Sequence, residues 1–171
     1  KLKMEENALT SRSKRLAEME KMYEGFSKAV KLVMGEAERG SLHHIHGPVA
    51  GLLKVPDQYT VAIETALGGA MQNIVVDREE DGKAVINYLK RRDAGRATIL
   101  PISSIRPGEL REREQIAKES GFVGIGDKLV GFDGQYANVF SSLLGRVVVM
   151  ENLDCAIAAA RKFGYRFRIV T

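Results

Sequence analysis

A mixed α/β (α+β) fold made of two pseudo-repeated lobes, preceded by an N-terminal coiled-coil helix, is the class this sequence predicts. The main observation is an internal echo. Tyr59, Leu67-Gly68, the apolar run Ile74-Val75-Val76, Ala84-Val85, Lys90, Gly95 and the run Ala97 to Leu100 are followed, in the same order, by a second set. That set is Tyr136, Leu144-Gly145, Val147 to Met150, Ala156-Ile157, Lys162, Gly164 and Phe167 to Val170. A second observation is the period: apolar residues at helical spacing alternate with short β-branched runs, so each half reads helix, strand, helix, strand. A third is punctuation, because glycines stand where each helix should stop.

Taken in order, Phe26 to Met34 is expected to be a helix with Ser27 as N-cap, ending at Gly35 or Gly40. Leu42 to His46 reads as a strand closed by Gly47-Pro48. Asp57 caps a helix through Leu67, with Val61, Ala62, Thr65 and Ala66 spaced to face inward. Met71 to Val76 is a strand, Asp77 opens a turn, and Glu79 to Arg92 is a helix whose apolar face is Ala84, Val85, Tyr88 and Leu89. Ala97 to Leu100 is a strand stopped by Pro101. The charged, aperiodic segment from Ser103 to Gly121 is expected to be a loop with a short helix near Leu110 to Glu119. It separates lobe one (about 26–102) from lobe two (about 121–171), where the second set of elements runs.

Residues 1–25 differ from the rest. Leu2, Leu9, Leu16 and Tyr23 recur at every seventh position, and no Gly or Pro precedes Gly25. One apolar stripe among mixed charges is too narrow for a core face and reads as a coiled-coil stub. At 171 residues, 44% of them hydrophobic, the chain can bury one substantial core or two small fused ones. A single cysteine excludes an internal disulfide and fits a reducing cytosol. With no apolar span or signal-peptide core, a soluble intracellular protein that avoids membranes is expected. The net charge of +4 is modest, so its placement matters. Lys90, Arg91, Arg92 and Arg96 in the first set, and Arg161, Lys162, Arg166 and Arg168 in the second, fall at helix ends and the strands after them. Cations there complement helix dipoles, and clustered they also suit a polyanion.

No catalytic constellation, metal site or cofactor motif emerges. His43, His44 and His46 lack a carboxylate or cysteine at ligand spacing, and on a strand His43 would point away from the other two. Cys155 opens an alanine-rich helix with no histidine nearby in sequence, and reads as a small packed residue. Ser103-Ser104 has no glycine frame for a nucleophile. Gly121 to Lys128 is neither a P-loop nor a dinucleotide fingerprint, and its glycines read as tight turns beside a short strand.

Several runs nevertheless have a familiar order. Tyr59 through Asp77, including Ala66-Leu67-Gly68-Gly69-Ala70-Met71-Gln72-Asn73-Ile74-Val75-Val76, resembles the hinge domain of bacterial structural-maintenance-of-chromosomes (SMC) proteins. So do Gly95 to Ile102, Asn138 to Gly145, Val147-Val148-Val149 with Asn152-Leu153-Asp154, and Tyr165 to Thr171; the resemblance as a whole covers roughly Phe26 to Thr171. The resemblance implies a non-catalytic module at the apex of a long antiparallel coiled coil, with ATPase heads, and kleisin-type partners, at the far end. It implies a homodimer in which lobe one of each chain meets lobe two of the other. By family position the seam would use Ile99, Leu100, Pro101, Ile102 and Ile105. It implies sequence-independent DNA binding near the root of the coil through Lys90, Arg91 and Arg92, to which charge alone adds Arg96, Arg161, Lys162, Arg166 and Arg168. A role in chromosome condensation and segregation on the cytoplasmic nucleoid follows. Family hinges continue past the last strand into a glycine-rich stretch of the seam and the outgoing coil, so a dimer of the chain ending at Thr171 is expected to be weakened, non-native or lost.

Overall fold

The structure, a computed structural model, describes residues 6–7 and 25–171. The heptad stripe from Leu2 to Tyr23 lies outside the described residues. Helices α1 (Lys28–Arg39), α2 (Val49–Leu52), α3 (Thr60–Leu67) and α4 (Glu79–Arg92) accompany strands β1 (Ile45–Pro48), β2 (Ile74–Val76) and β3 (Ile99–Pro101). Helices α5 (Arg113–Ile116), α6 (Ala137–Leu144) and α7 (Leu153–Lys162) accompany β4 (Phe122–Ile125), β5 (Val147–Met150) and β6 (Arg168–Val170). Each set closes a three-stranded sheet with its most apolar strand in the middle, in the orders β1-β2-β3 and β4-β5-β6.

The echo extends to register. In each sheet the first strand is antiparallel to the central one and the last is parallel to it. A parallel neighbour requires a crossover, which α4 and α7 provide. The same irregularity interrupts both antiparallel pairs, between Ile45 and Gly47 and between Phe122 and Gly124. The two halves also meet as equivalents. Lys54 N–H donates to Gly131 O at 2.8 Å and Gly131 N–H donates to Lys54 O at 2.7 Å. These residues are separated by the same offset as Ile45 from Phe122, Gly47 from Gly124 and Tyr59 from Tyr136. A pair of equivalent residues bonding reciprocally is the signature of a local two-fold axis.

Strand alternation divides the interior into three cores. Val75 of β2 and Val147 and Val149 of β5 face a shared core with Ile63 and Leu67 of α3 and Phe140 and Leu144 of α6. On the opposite faces, Ile74 and Val76 pack under α1 and α4 with Val33, Val85 and Leu89. Val148 and Met150 pack with Ile116, Ala156 and Ala159. Both central strands are therefore buried on two sides, which is why they read as unbroken apolar runs.

Several expected boundaries move. Helix α1 passes Gly35 and stops at Gly40, whose left-handed backbone returns its N–H to Glu36 and Ala37 carbonyls. Strand β1 begins later than Leu42 and includes Gly47-Pro48, and β3 includes Pro101; both are edge strands, where a proline removes no ladder bond. A 3₁₀ helix from Gly68 to Gln72 occupies the first part of the expected Met71 strand. On α3 the inward face is Ala62, Ile63, Ala66 and Leu67, while Val61 is 73% exposed and Thr65 also faces out. The face is turned because Leu67 and Ile63, larger than Thr65 and Val61, fill the shared core. Within the linking segment, Leu110 and Ile116 are buried in the core beneath β5 and Gly108 O accepts from Ser141 Oγ at 2.9 Å, so its second half packs on lobe two.

Candidate functional site

Two features stand out: the cations at the ends of α4 and α7, and the free edges of the sheets. Helix α4 has Glu79, Glu80 and Asp81 in its first turn and Lys90, Arg91 and Arg92 in its last, the polarity its dipole favours. All three cations are exposed, and so is Arg96 after the turn at Asp93. Lys90 and Arg96 line one groove of about 490 Å³ with Ile86, Leu89, Gly95 and Ala97, and the carboxylate residue Asp93 also lines it. Arg92 is more engaged than its neighbours. Its guanidinium lies 5.5 Å from the Tyr88 ring centroid, and its charge reaches Glu36. That carboxyl is held below the ordinary range first by the Ser41 hydroxyl, then by Arg39 and Arg92.

The second set of cations is largely occupied. Lys162 Nζ donates to Glu119 Oε1 at 2.5 Å, and Arg166 lies 3.8 Å from Glu112. Arg168 donates Nη1 to Ala66 O and Nη2 to Thr65 O, both at 2.8 Å, and so caps the carbonyl end of α3 across the lobe boundary. Arg161 is exposed. The structure thus places Lys90 and Arg96 on one groove, sets Arg91 with Arg92 on a neighbouring one beside Glu36, and holds Arg168 between the lobes.

Among the described residues, no strand covers the outer edges of β1, β3, β4 or β6. At β3, Ile74 N–H donates to Thr98 O and Ile102 N–H donates to Val76 O. The backbone groups of Thr98, Leu100 and Ile102 therefore face β2 and those of Ile99 face outward, while Pro101 O accepts from the Ile105 and Ser104 amides of the following turn. Side chains of the expected seam are half-buried: Ile99 packs on the core under α1 and α4, while Leu100, Ile102 and Ile105 pack on the shared core.

The histidines show what sequence spacing hid. Carboxylates reach them from other elements: Asp81 Oδ1 lies 3.0 Å from His44 Nδ1, and Asp77 Oδ1 lies 2.5 Å from His46 Nε2. His46 Nδ1 meets the Tyr136 hydroxyl at 2.9 Å, linking the lobes through a polar chain at the rim of the shared core. The clue in the sequence was Asp77, which ends an apolar strand beside the histidine strand. Burial raises the Tyr136 hydroxyl above its ordinary value, helped by the Asp133 and Asp77 charges. A raised value means that the folded state holds the proton more tightly than the unfolded one, so stability is lost as pH rises past about 10, where free tyrosine ionises. Thermal melts across that range should show a smaller alkaline loss in Tyr136→Phe than in the parent chain.

The remaining candidates are packing residues. Cys155 is half-buried, and a Cβ on Gly121 would come within 2.5 Å of its Sγ. Gly124 lies in β4, where a Cβ would come 2.7 Å from Leu129 Cδ2, and Gly126 packs against Leu144. Among the described residues no helix is long and apolar enough to cross a membrane.

This architecture has close counterparts. The family model described as "SMC proteins Flexible Hinge Domain" matches residues 42–160. The chromosome partition protein Smc of Bacillus subtilis (strain 168) is 41% identical over 165 residues, covering 94% of this chain and 14% of the relative. The asymmetric dimer of the Geobacillus stearothermophilus SMC hinge domain superposes with a TM-score of 0.85 at 43% identity, covering 99% of this chain and 67% of that one. The Pyrococcus furiosus SMC hinge domain gives 0.69 at 28% identity, covering 94% and 81%. The chain spans only a small part of the length of its full-length relatives. Two sheets related by a local two-fold, the five ordered motifs and these matches lead to one conclusion: the chain belongs to the SMC hinge domain family.

Proposed function

We propose that the chain is the pairing module of a longer chromosome-partition ATPase: two copies join edge to edge, unite two coiled-coil arms, and hold DNA against a basic face. The observation that carries the pairing is the set of open sheet edges in a member of this family. Strand addition satisfies backbone groups that otherwise face water, and two such contacts around a two-fold reinforce each other. The β3 edge offers the N–H and C=O of Ile99, the Pro101 carbonyl being taken by the Ile105 amide at 3.0 Å, with Ile99, Leu100, Ile102 and Ile105 supplying apolar bulk beside it. The parent protein works on the nucleoid in the cytoplasm, with catalysis in its distant heads. Molar mass by light scattering over a concentration series, on a version extended beyond Thr171, tests the pairing. A mass that doubles with concentration supports it, and a constant monomer mass rejects it.

DNA binding rests on Lys90, Arg91 and Arg96, whose charges face solvent without an acidic partner within salt-bridge distance among the described residues. Arg92, Arg161, Lys162 and Arg166 lie beside helix ends as a weaker fringe, and Arg168 serves chiefly as the clamp on α3. With no tryptophan and few aromatic residues for stacking, the binding is directed at phosphates and indifferent to sequence. The double variant Lys90→Glu with Arg91→Glu should weaken binding to a random duplex about tenfold or more at low salt. It should also lower the slope of log affinity against log salt by about two, because each removed cation leaves one phosphate with its counterion. Its mass in solution should not change. An unaltered slope would remove these residues from the interface.

A further inference from the structure

We propose that His44, Asp77 and Asp81 form a binding site for a divalent transition ion, zinc foremost, at one end of the first sheet. One imidazole nitrogen and two carboxylate oxygens from these residues all lie within 4.8 Å of one another. They come from three elements: the turn before β1, the residue after β2 and the first turn of α4. Their convergence is built into the backbone. Asp77 N–H donates to His44 O at 3.1 Å, and the left-handed backbone of His44 (φ 60°) accompanies the turn that brings its ring to Asp81. Asp81 is held by its second oxygen, which accepts from Arg78 N–H at 3.1 Å.

The donor set decides the class of ion. Magnesium and calcium favour all-oxygen shells, whereas one imidazole with two carboxylates suits zinc and its neighbours, with an open position left for water. Two carboxylates balance the dication. Behind the site stands the kind of outer support that metal carboxylates have. His46 Nε2 holds Asp77, and the Tyr136 hydroxyl in turn holds His46 Nδ1. That chain lies outside the three ligands and reaches into lobe two, so it aims Asp77 independently of the ion. On binding, the His44 Nδ1 lone pair turns to the metal. The imidazole proton moves to Nε2 on the solvent side, and the His44–Asp81 hydrogen bond is exchanged for two metal bonds.

His43 provides an internal control: it is adjacent and exposed, but no carboxylate accompanies it in the cluster. Calorimetric titration of zinc chloride into the 171-residue chain near neutral pH should give one saturable site, with the parent and His43→Ala curves superimposed. His44→Ala, at a side chain 64% exposed, should leave the fold intact and raise the dissociation constant tenfold or more, and Asp77→Asn should act in the same direction. Circular dichroism of each variant distinguishes lost ligation from lost folding. The proposal is overturned by the absence of one-to-one binding below about 1 mM zinc. It is equally overturned if His43→Ala weakens binding as much as His44→Ala.

Discussion

Phe140→Ala should lower the unfolding free energy by about 3–5 kcal/mol, the range for deleting a fully buried aromatic side chain. Phe140 is completely shielded from solvent and stacks on Phe132 at 4.7 Å between ring centroids. Its neighbours in the shared core come from both halves of the chain, including Val49, Ile63 and Val75 from lobe one and Val147, Val149 and Val170 from lobe two. A cavity there loosens the two sheets together, so chemical denaturation should remain a single transition displaced to lower denaturant. A domain of this size carries roughly 5–15 kcal/mol of total stability, so the melting temperature should fall by about 10 °C or more. If a biphasic curve appeared, with one lobe melting at its original midpoint, the shared core would not couple the halves.

Gly145→Ala should cost about 3 kcal/mol or more, at the upper end of overpacking effects. The cause is space, since the backbone of Gly145 has an ordinary helical conformation (φ −66°). A Cβ there would lie 2.1 Å from Gly108 O and 2.3 Å from Ser141 O, and both are backbone atoms that cannot rotate away. The α6 terminus and the linking segment would have to separate, which also threatens the Ser141 hydroxyl bond to Gly108 O. The pseudo-equivalent Gly68 shows the contrast. Nothing lies within 4 Å of a Cβ there, but its φ of +51° is left-handed, so Gly68→Ala is penalised by backbone strain alone. Urea titrations of the two variants should rank Gly145→Ala as the more damaging; equal midpoints would mean that the linking segment yields freely.

Much of the architecture was legible because burial leaves periodic marks. Ile74-Val75-Val76 and Val147 to Met150 announce themselves as strands since both faces are covered, and α4 displays its stripe at Val85, Tyr88 and Leu89, although the expected fourth member, Ala84, is exposed. Edge strands leave no such mark. β1 and β3 are three or four residues long and contain prolines that propensity assigns to turns. The direction faced by α3 was misjudged at Val61 and Thr65, because a short helix between two lobes can satisfy more than one apolar stripe and tertiary packing selects among them. The site divides in the same way. Lys90 and Arg91 are contiguous in sequence and remain together in space. Arg168 reads as a loose surface charge until the carbonyls of Thr65 and Ala66 arrive from the other lobe. The pairings of His44 with Asp81 and His46 with Asp77 span |i−j| of 37 and 31, beyond any local spacing rule.

Pro101 has a consequence for how this molecule grows in company. Standing on an outer strand with no amide hydrogen to give, it interrupts any ladder that tries to extend along that border. Successive copies cannot stack there into an endless ribbon. One imino acid thus keeps an exposed β border from becoming a seed for fibrils.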